Sequence, residues 1–304
     1  MNPRRALPAL QALLTVAVFA YLLTLVDTGA LAATFARAPL WGIPLASVIL
    51  LCVMAIGALR WSLLIGAYGG QHVPFARLLR LQLVGLFYNM LPGAVGGDVV
   101  RGLVSRDAFG PGGALSGVAV VFVERVVGLL GLLALVSTML LIHRLPALDS
   151  MLDRRVLWLG LLTVAAAIAA LALARRLAAY LPGRLGELLS ALPALSHPGR
   201  FALAALVSIS NQALVAVLAH CLMAPLAPEV TLLDSMVLAP VAFAAVFFPL
   251  TVAGAGTRDA AMVLLYGSLG VSRAVALSAS LQVLLTYLVV AAIGGLLALL
   301  RPLR

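Results

Sequence analysis

The chain contains no lysine: all 20 of its basic residues are arginine. It has two cysteines, Cys52 and Cys221, in separate apolar runs with no metal-ligand spacing and no disulfide context, so both read as small core hydrophobes. Charged residues fill 10% of the 304 positions, where about a quarter is usual in a soluble domain. Acids are scarcest, at 10 Asp and Glu, which leaves a net charge of +10. The remainder is apolar, at 64%. A soluble core of this size could not hide that much apolar surface, which excludes a soluble enzyme. Nucleic-acid binding is excluded with it, because the arginines are scattered between apolar runs and form no arm or patch. Without lysine there is no Gly-x-x-x-x-Gly-Lys nucleotide loop, so any uphill work must draw on an ion gradient or mass action.

The uncharged runs set the organisation. A bilayer core takes about 20 apolar residues as helix. Ala6–Val26, Ala38–Leu59, Val156–Ala174, Phe201–Pro228 and Ala274–Leu300 qualify. Ala108–Val123 and Val126–Ile142 are divided only by Glu124-Arg125, and read as one helix, Ala114–Ile142, with that charged pair inside the membrane. The first run follows Arg4 and Arg5 and exceeds a signal-peptide core, so it reads as a span. Two further runs, Leu81–Gly97 and Ser235–Thr257, are each broken by Pro and Gly and then followed by charge.

Arginine bias orients these segments. Six spans plus two re-entrant segments, about 81–106 and 235–267, place 13 arginines inside, 5 outside and 2 in the membrane. In this assignment the second helix ends at Leu59, and Arg60, Arg77 and Arg80 lie in a cytoplasmic loop. Both termini and the loop Arg175–Arg200 are cytoplasmic. Against the bias, the loop after Ile142 puts Arg144, Arg154 and Arg155 outside. The expectation is therefore one all-α polytopic domain over 1–304, in a bacterial cytoplasmic (inner) membrane.

The two broken runs resemble each other. Phe87-Tyr88-Asn89-Met90-Leu91-Pro92-Gly93-Ala94-Val95-Gly96-Gly97-Asp98-Val99-Val100-Arg101 is echoed by Phe247-Phe248-Pro249-Leu250-Thr251-Val252-Ala253-Gly254-Ala255-Gly256-Thr257-Arg258-Asp259. Each has an aromatic pair, a proline, a Gly-rich stretch, and an acid near an arginine at the start of a new helix. Entering from opposite sides, they would form an inverted repeat of broken helices, the arrangement that puts binding sites near the midplane. A half-helix N-terminus offers free N–H groups and a positive dipole end to an anion. Arg101, Arg125 and Arg258 add forks for phosphate, and Asp98, Glu124 and Asp259 partner them when the site is empty. Structural ion pairs are the competing reading of the same six charges. On sequence alone, Arg125 and Arg258 are expected to face one shared polar cavity. Arg258→Ala is expected to spare the fold, and Arg125→Ala to damage it.

Leu86 through Arg101 resembles the signature of the flippase-like transmembrane region of lysylphosphatidylglycerol synthases and their stand-alone relatives. Glu124-Arg125-Val126-Val127-Gly128 is similar to that family's next motif. Gly254-Ala255-Gly256-Thr257-Arg258-Asp259 is similar to its C-terminal one, with Asp259 where Glu is usual, and Leu269-Gly270-Val271-Ser272 continues the likeness. The resemblance implies a flippase-like lipid translocase rather than an enzyme. Its substrate would be an anionic or aminoacyl phospholipid, a polyprenyl-phosphate-linked lipid or a hopanoid. It implies no cofactor, no metal and no aminoacyl-transferase domain after Arg304. A second copy or a lipid-synthesising enzyme is the implied protein partner. Asn89, Gly93, Gly96, Gly97, Asp98, Arg101, Glu124, Arg125, Gly254, Gly256, Arg258 and Asp259 are the candidate substrate-binding residues. The alternatives are an intramembrane enzyme acting on a lipid phosphate, or a non-transporting partner of a lipid-modifying enzyme. His-Glu-x-x-His and Gly-x-Gly-Asp are both absent, and His220 has no evident base-orienting partner in the sequence.

Overall fold

The computed structural model describes residues 3–91, 97–98, 101–102, 105–110, 113–143, 145, 154–173, 176, 178–180, 183–244, 251 and 254–300. Gly93 and Gly96, the aromatic pair Phe247-Phe248 and Pro249 lie outside those residues. The described chain is helical: α1 (Pro3–Thr24), α2 (Thr28–Arg37), α3 (Gly42–Ala67), α4 (Phe75–Asn89), α5 (Ala114–Ile142), α6 (Arg154–Ala172), α7 (Gly183–Ser190), α8 (Pro198–Met223), α9 (Leu232–Phe243), α10 (Thr257–Gly267) and α11 (Arg273–Leu300).

Four helices, α3, α5, α8 and α11, are long and apolar enough to cross a bilayer. α5 keeps the boundaries expected from sequence, because Glu124-Arg125 is flanked by enough Val, Leu and Gly to carry the helix past both charges. α1 and α2 pass the same test only as a pair, bent by 96° at their junction. The expected first loop thus holds a second helix, which Asp27 starts by accepting the Gly29 and Ala30 N–H groups. α6 has 19 residues, and its apolar part, Leu157–Ala172, is shorter than a full span. α4, α9 and α10 have 15, 12 and 11 residues. At 1.5 Å per residue each reaches about 16–23 Å, short of a hydrocarbon core of about 30 Å.

α3 corrects the sequence reading. The helix does not end at Leu59 but runs to Ala67, so Arg60 is an interior residue, only 9% exposed, rather than part of a cytoplasmic loop. Charge normally ends a span; here a buried carboxylate on α5 accepts it.

The core is built on α3 against α8. α4 packs on α3 and α11, and α9 packs on α8 and α5. α5 also lies on α8 and α3, and α11 on α3 and α8. α6 covers α5, and α2 covers α11. Some of these seams bring backbones together: a Cβ added at Gly294 of α11 would sit 2.0 Å from the Leu83 carbonyl oxygen of α4.

One end of the molecule gathers the Arg-rich connections. The Gln71 N–H donates to Ala108 O at 2.8 Å, the Ser196 N–H donates to Ala67 O at 2.8 Å, and Arg77 pairs with Asp107 at 3.5 Å. The start of α4, the start of α8 and the end of α3 therefore share that end.

Candidate functional site: an arginine-lined cavity between α3, α4, α5 and α8

A cavity of about 190 Å3 opens among these helices. Its polar lining is Arg60, Gln82, Asn89, Arg101, Glu124, Arg125, Asn211 and Gln212, and Phe243 and Tyr287 close one wall. Small residues give the polar groups room. Gly57 leaves space for Gln82, whose Nε2 would lie 3.0 Å from an added Cβ, and Gly128 does the same for Arg60.

Glu124 is the hub. Its Oε1 accepts from Arg60 at 2.9 Å and its Oε2 from Arg101 at 2.5 Å, with Glu124 itself 2% exposed. Arg60 also donates to Ser208 of α8 at 3.3 Å, and Gln212 donates to the Gly128 carbonyl at 3.1 Å. Arg101 lies over the Trp61 ring, 4.4 Å from its centroid, and reaches Asp98 at 3.3 Å. The other oxygen of Asp98 binds Arg125, whose side chain remains 36% exposed. Arg60 and Arg101 are thus fixed by several partners each, while Arg125 is the exposed member of the cluster. Arg60 Nε, Arg101 Nε, Asn89 Oδ1 and Asn211 Oδ1 are buried without a hydrogen-bond partner among the described residues.

Gly97 brings the segment after the first break into this cluster. A Cβ there would stand 2.5 Å from both the Gly85 carbonyl oxygen and Asn89 Oδ1, so only glycine allows the crossing with α4.

The second motif builds a separate cluster. Asp259 is fully buried and accepts from the Gly256 N–H at 2.7 Å, from Arg258 at 2.8 Å and from Ser280 of α11. Gly256 starts α10 with φ +88°, a backbone form suited to glycine. Thr257 donates to the Gly254 carbonyl at 3.1 Å. Arg258, 1% exposed, lies 5.7 Å from the Phe243 ring centroid and 6.0 Å from that of Tyr287, the same two rings that wall the cavity. The structure thus brings Asn89, Gly97, Asp98, Arg101, Glu124 and Arg125 together. Gly254, Gly256, Arg258 and Asp259 stand outside the cavity lining, so Arg125 and Arg258 do not share a cavity as the sequence reading expected.

Sequence reading missed Arg60, Gln82, Asn211, Gln212, Phe243 and Tyr287. Arg60 carried a usable signal: seven uncharged residues, Trp61 to Ala67, follow it. His220, expected to lack a base-orienting partner, meets Ser235 Oγ at 3.1 Å, but neither residue lines the cavity. No group of three or more His, Cys, Asp or Glu suited to a metal occurs among the described residues.

No curated protein matches the chain. The family pattern of the lysylphosphatidylglycerol synthase TM region, however, matches residues 9–295, almost the whole length, and takes in Asn89, the Asp98–Arg101 cluster, Glu124-Arg125 and the Arg258-Asp259 pair. This membrane protein, lipid-related by its kinship, belongs to the family of the lysylphosphatidylglycerol synthase TM region.

Proposed function

We propose that the protein is a lipid translocase. A lipid with a phosphate-bearing or otherwise anionic head group passes its head through the arginine-lined cavity while its chains stay in the bilayer. The charge balance of the cluster carries this reading. Three guanidinium groups, Arg60, Arg101 and Arg125, meet two carboxylates, Asp98 and Glu124. One positive charge is left over, and a bound anion would neutralise it. Arg125 is placed to bind it, because it is the exposed arginine of the three and can exchange Asp98 for a phosphate oxygen. The Arg258–Asp259 cluster supports the wall from behind.

The packing pattern supports the same function. Exchanging α3 with α8, α4 with α9 and α5 with α11 maps the α3–α8 contact onto itself and the others onto one another: α3–α4 onto α8–α9, α4–α11 onto α9–α5, and α3–α11 onto α8–α5. An inverted repeat with α4 and α9–α10 as its re-entrant halves has this pattern, and transporters built so bind near the repeat interface. In this reading the arginine-rich end is cytoplasmic and carries both termini.

The test is reconstitution into vesicles holding a fluorescent anionic phospholipid, with an impermeant quencher added outside. Expected is faster leaflet exchange with the lipid chemically unchanged, and at least a tenfold loss of rate in Arg125→Ala. Chemical conversion of the lipid would assign an intramembrane enzyme instead. Absence of both exchange and conversion across a panel of anionic head groups would leave the non-transporting partner.

A further inference from the structure

A second polar contact joins two walls of the cavity at the end of the molecule away from Arg77 and Arg80. His143 caps α5, its N–H donating to Met139 O at 2.7 Å, and its imidazole Nε2 lies 2.7 Å from Asp234 Oδ1 at the start of α9. Asp234 spends its other oxygen on its own helix: Oδ2 accepts the Thr231 N–H at 2.8 Å and the Thr231 hydroxyl at 2.7 Å. Oδ1 is thereby aimed across at α5. The carboxylate suits its place at a helix N-terminus. The imidazole is 24% exposed, and Asp234, although buried, keeps the Thr231 N–H and hydroxyl when the contact breaks, so its carboxylate is not left without donors.

The partners of this contact are parts of the cavity. α5 carries Glu124 and Arg125, about 27 Å back along the helix from His143. α9 ends on Phe243, about 14 Å from Asp234. At the opposite end, under the exchange of α4 with α9 and α5 with α11, the counterpart is Arg80 of α4, whose Nη2 donates to the Leu297 carbonyl of α11 at 3.3 Å. Arg80 precedes Asn89 on α4 by about the same 14 Å that separates Asp234 from Phe243. Each half of the fold thus has a cavity-lining residue at the tip of a short helix, and a cross-helix polar tie at the other end of that helix.

We propose that His143–Asp234 is the latch that holds the cavity shut towards the outer face, with Arg80–Leu297 as its counterpart on the cytoplasmic face. The latch rests on the translocase reading. Breaking it removes the polar tie between the start of α9 and the end of α5, leaving apolar packing there, and lets the Phe243 wall swing away from Glu124 and Arg125. Other groups face the pair. His220 of α8 meets the neighbouring Ser235, Tyr266 of α10 packs close to Ser235 and Asp234, and Thr231 caps the helix. None of these replaces the direct tie to α5.

The test reads opening directly, apart from any lipid. In a background free of Cys52 and Cys221, Val215→Cys puts a thiol on the cavity lining of α8. Adding His143→Ala should raise its labelling by an impermeant reagent from the outer side about tenfold, while His143→Lys, which keeps a donor opposite Asp234, should leave it unchanged. Equal labelling in all three would overturn the latch. A second variant covers failure of His143→Ala to fold. His143→Cys with Asp234→Cys, joined by a short reducible bis-thiol linker, should lose leaflet exchange at least tenfold and regain it on reduction. Equal exchange in the linked and reduced forms would also overturn the latch. If the protein with His143 and Asp234 in place moves no lipid at all, the translocase reading fails and the labelling result alone decides the latch.

Discussion

Arg60 and Glu124 lie 64 positions apart in the chain and 2.9 Å apart in space. Their contact lets α3 carry an arginine within its length, and it ties that helix to the centre of α5. Because Glu124 also holds Arg101, one carboxylate joins α3, α5 and the segment that follows the first break.

Glu124→Gln should therefore act on three segments at once. It leaves two buried arginines short of their shared acceptor, and breaking a buried pair costs about 3–5 kcal/mol. Thermal unfolding in detergent should show a large drop in Tm. Arg60→Leu with Glu124→Gln should lose less than the sum of the two single changes, the mark of direct coupling.

Arg125 should separate function from stability. Its side chain is 36% exposed and that of its partner Asp98 25%, and exposed pairs contribute about 1 kcal/mol or less. Arg125→Ala should keep the melting temperature within a few degrees and lose leaflet exchange. A large fall in Tm would make Arg125 part of the scaffold.

Arg258 should do the reverse. It is 1% exposed, and Asp259, its partner, is fully buried with several donors upon it. Arg258→Ala strands that carboxylate and should cost about 3–5 kcal/mol. Arg258→Met with Asp259→Asn, which removes both charges, should recover part of the stability and much of the transport. Loss of transport by this neutral pair in a protein of normal Tm would give Arg258 a direct part in anion binding.

The orientation can be read at Ala191, whose carbonyl accepts from the Ser116 hydroxyl beside the start of α5. With Cys52 and Cys221 replaced, the thiol of Ala191→Cys should react with an impermeant reagent from the cytoplasmic side only. Strong labelling from outside would reverse the assignment of faces and with it the outer position of His143.

Much of this was legible in the sequence where the signal is local. The bounds of α5 follow from two apolar runs around a single charged pair. Asn89, Asp98, Arg101, Glu124 and Arg125 sit in short motifs whose residue types already suit an anion. The misses share a physical cause. Ending the second helix before Arg60 assumed that a charge in a span has no partner, and the partner lies on another helix. Gln82, Asn211, Gln212 and Tyr287 each stand among apolar neighbours with no motif around them. Only packing turns them to the cavity. α2 was missed because Asp27 looks like a loop acid until its carboxylate is seen capping a helix. Arg258 and Asp259 were recognised as a pair, but nothing in the spacing says that Phe243 and Tyr287 stand between them and the cavity.

The Gly294–Leu83 seam has no cushion. Side chains between helices yield by changing rotamer, and they absorb small displacements much as a gasket does. At Gly294 the α11 backbone bears directly on a carbonyl of α4, with no room for even a methyl group. Two rods clamped without a gasket cannot slip past each other there and can only pivot on that point, as the blades of scissors do. Asn89 and Tyr287 lie on the cavity side of the pivot, Arg80 and Leu297 on the other. Parting the Arg80–Leu297 contact therefore reaches the cavity side undamped.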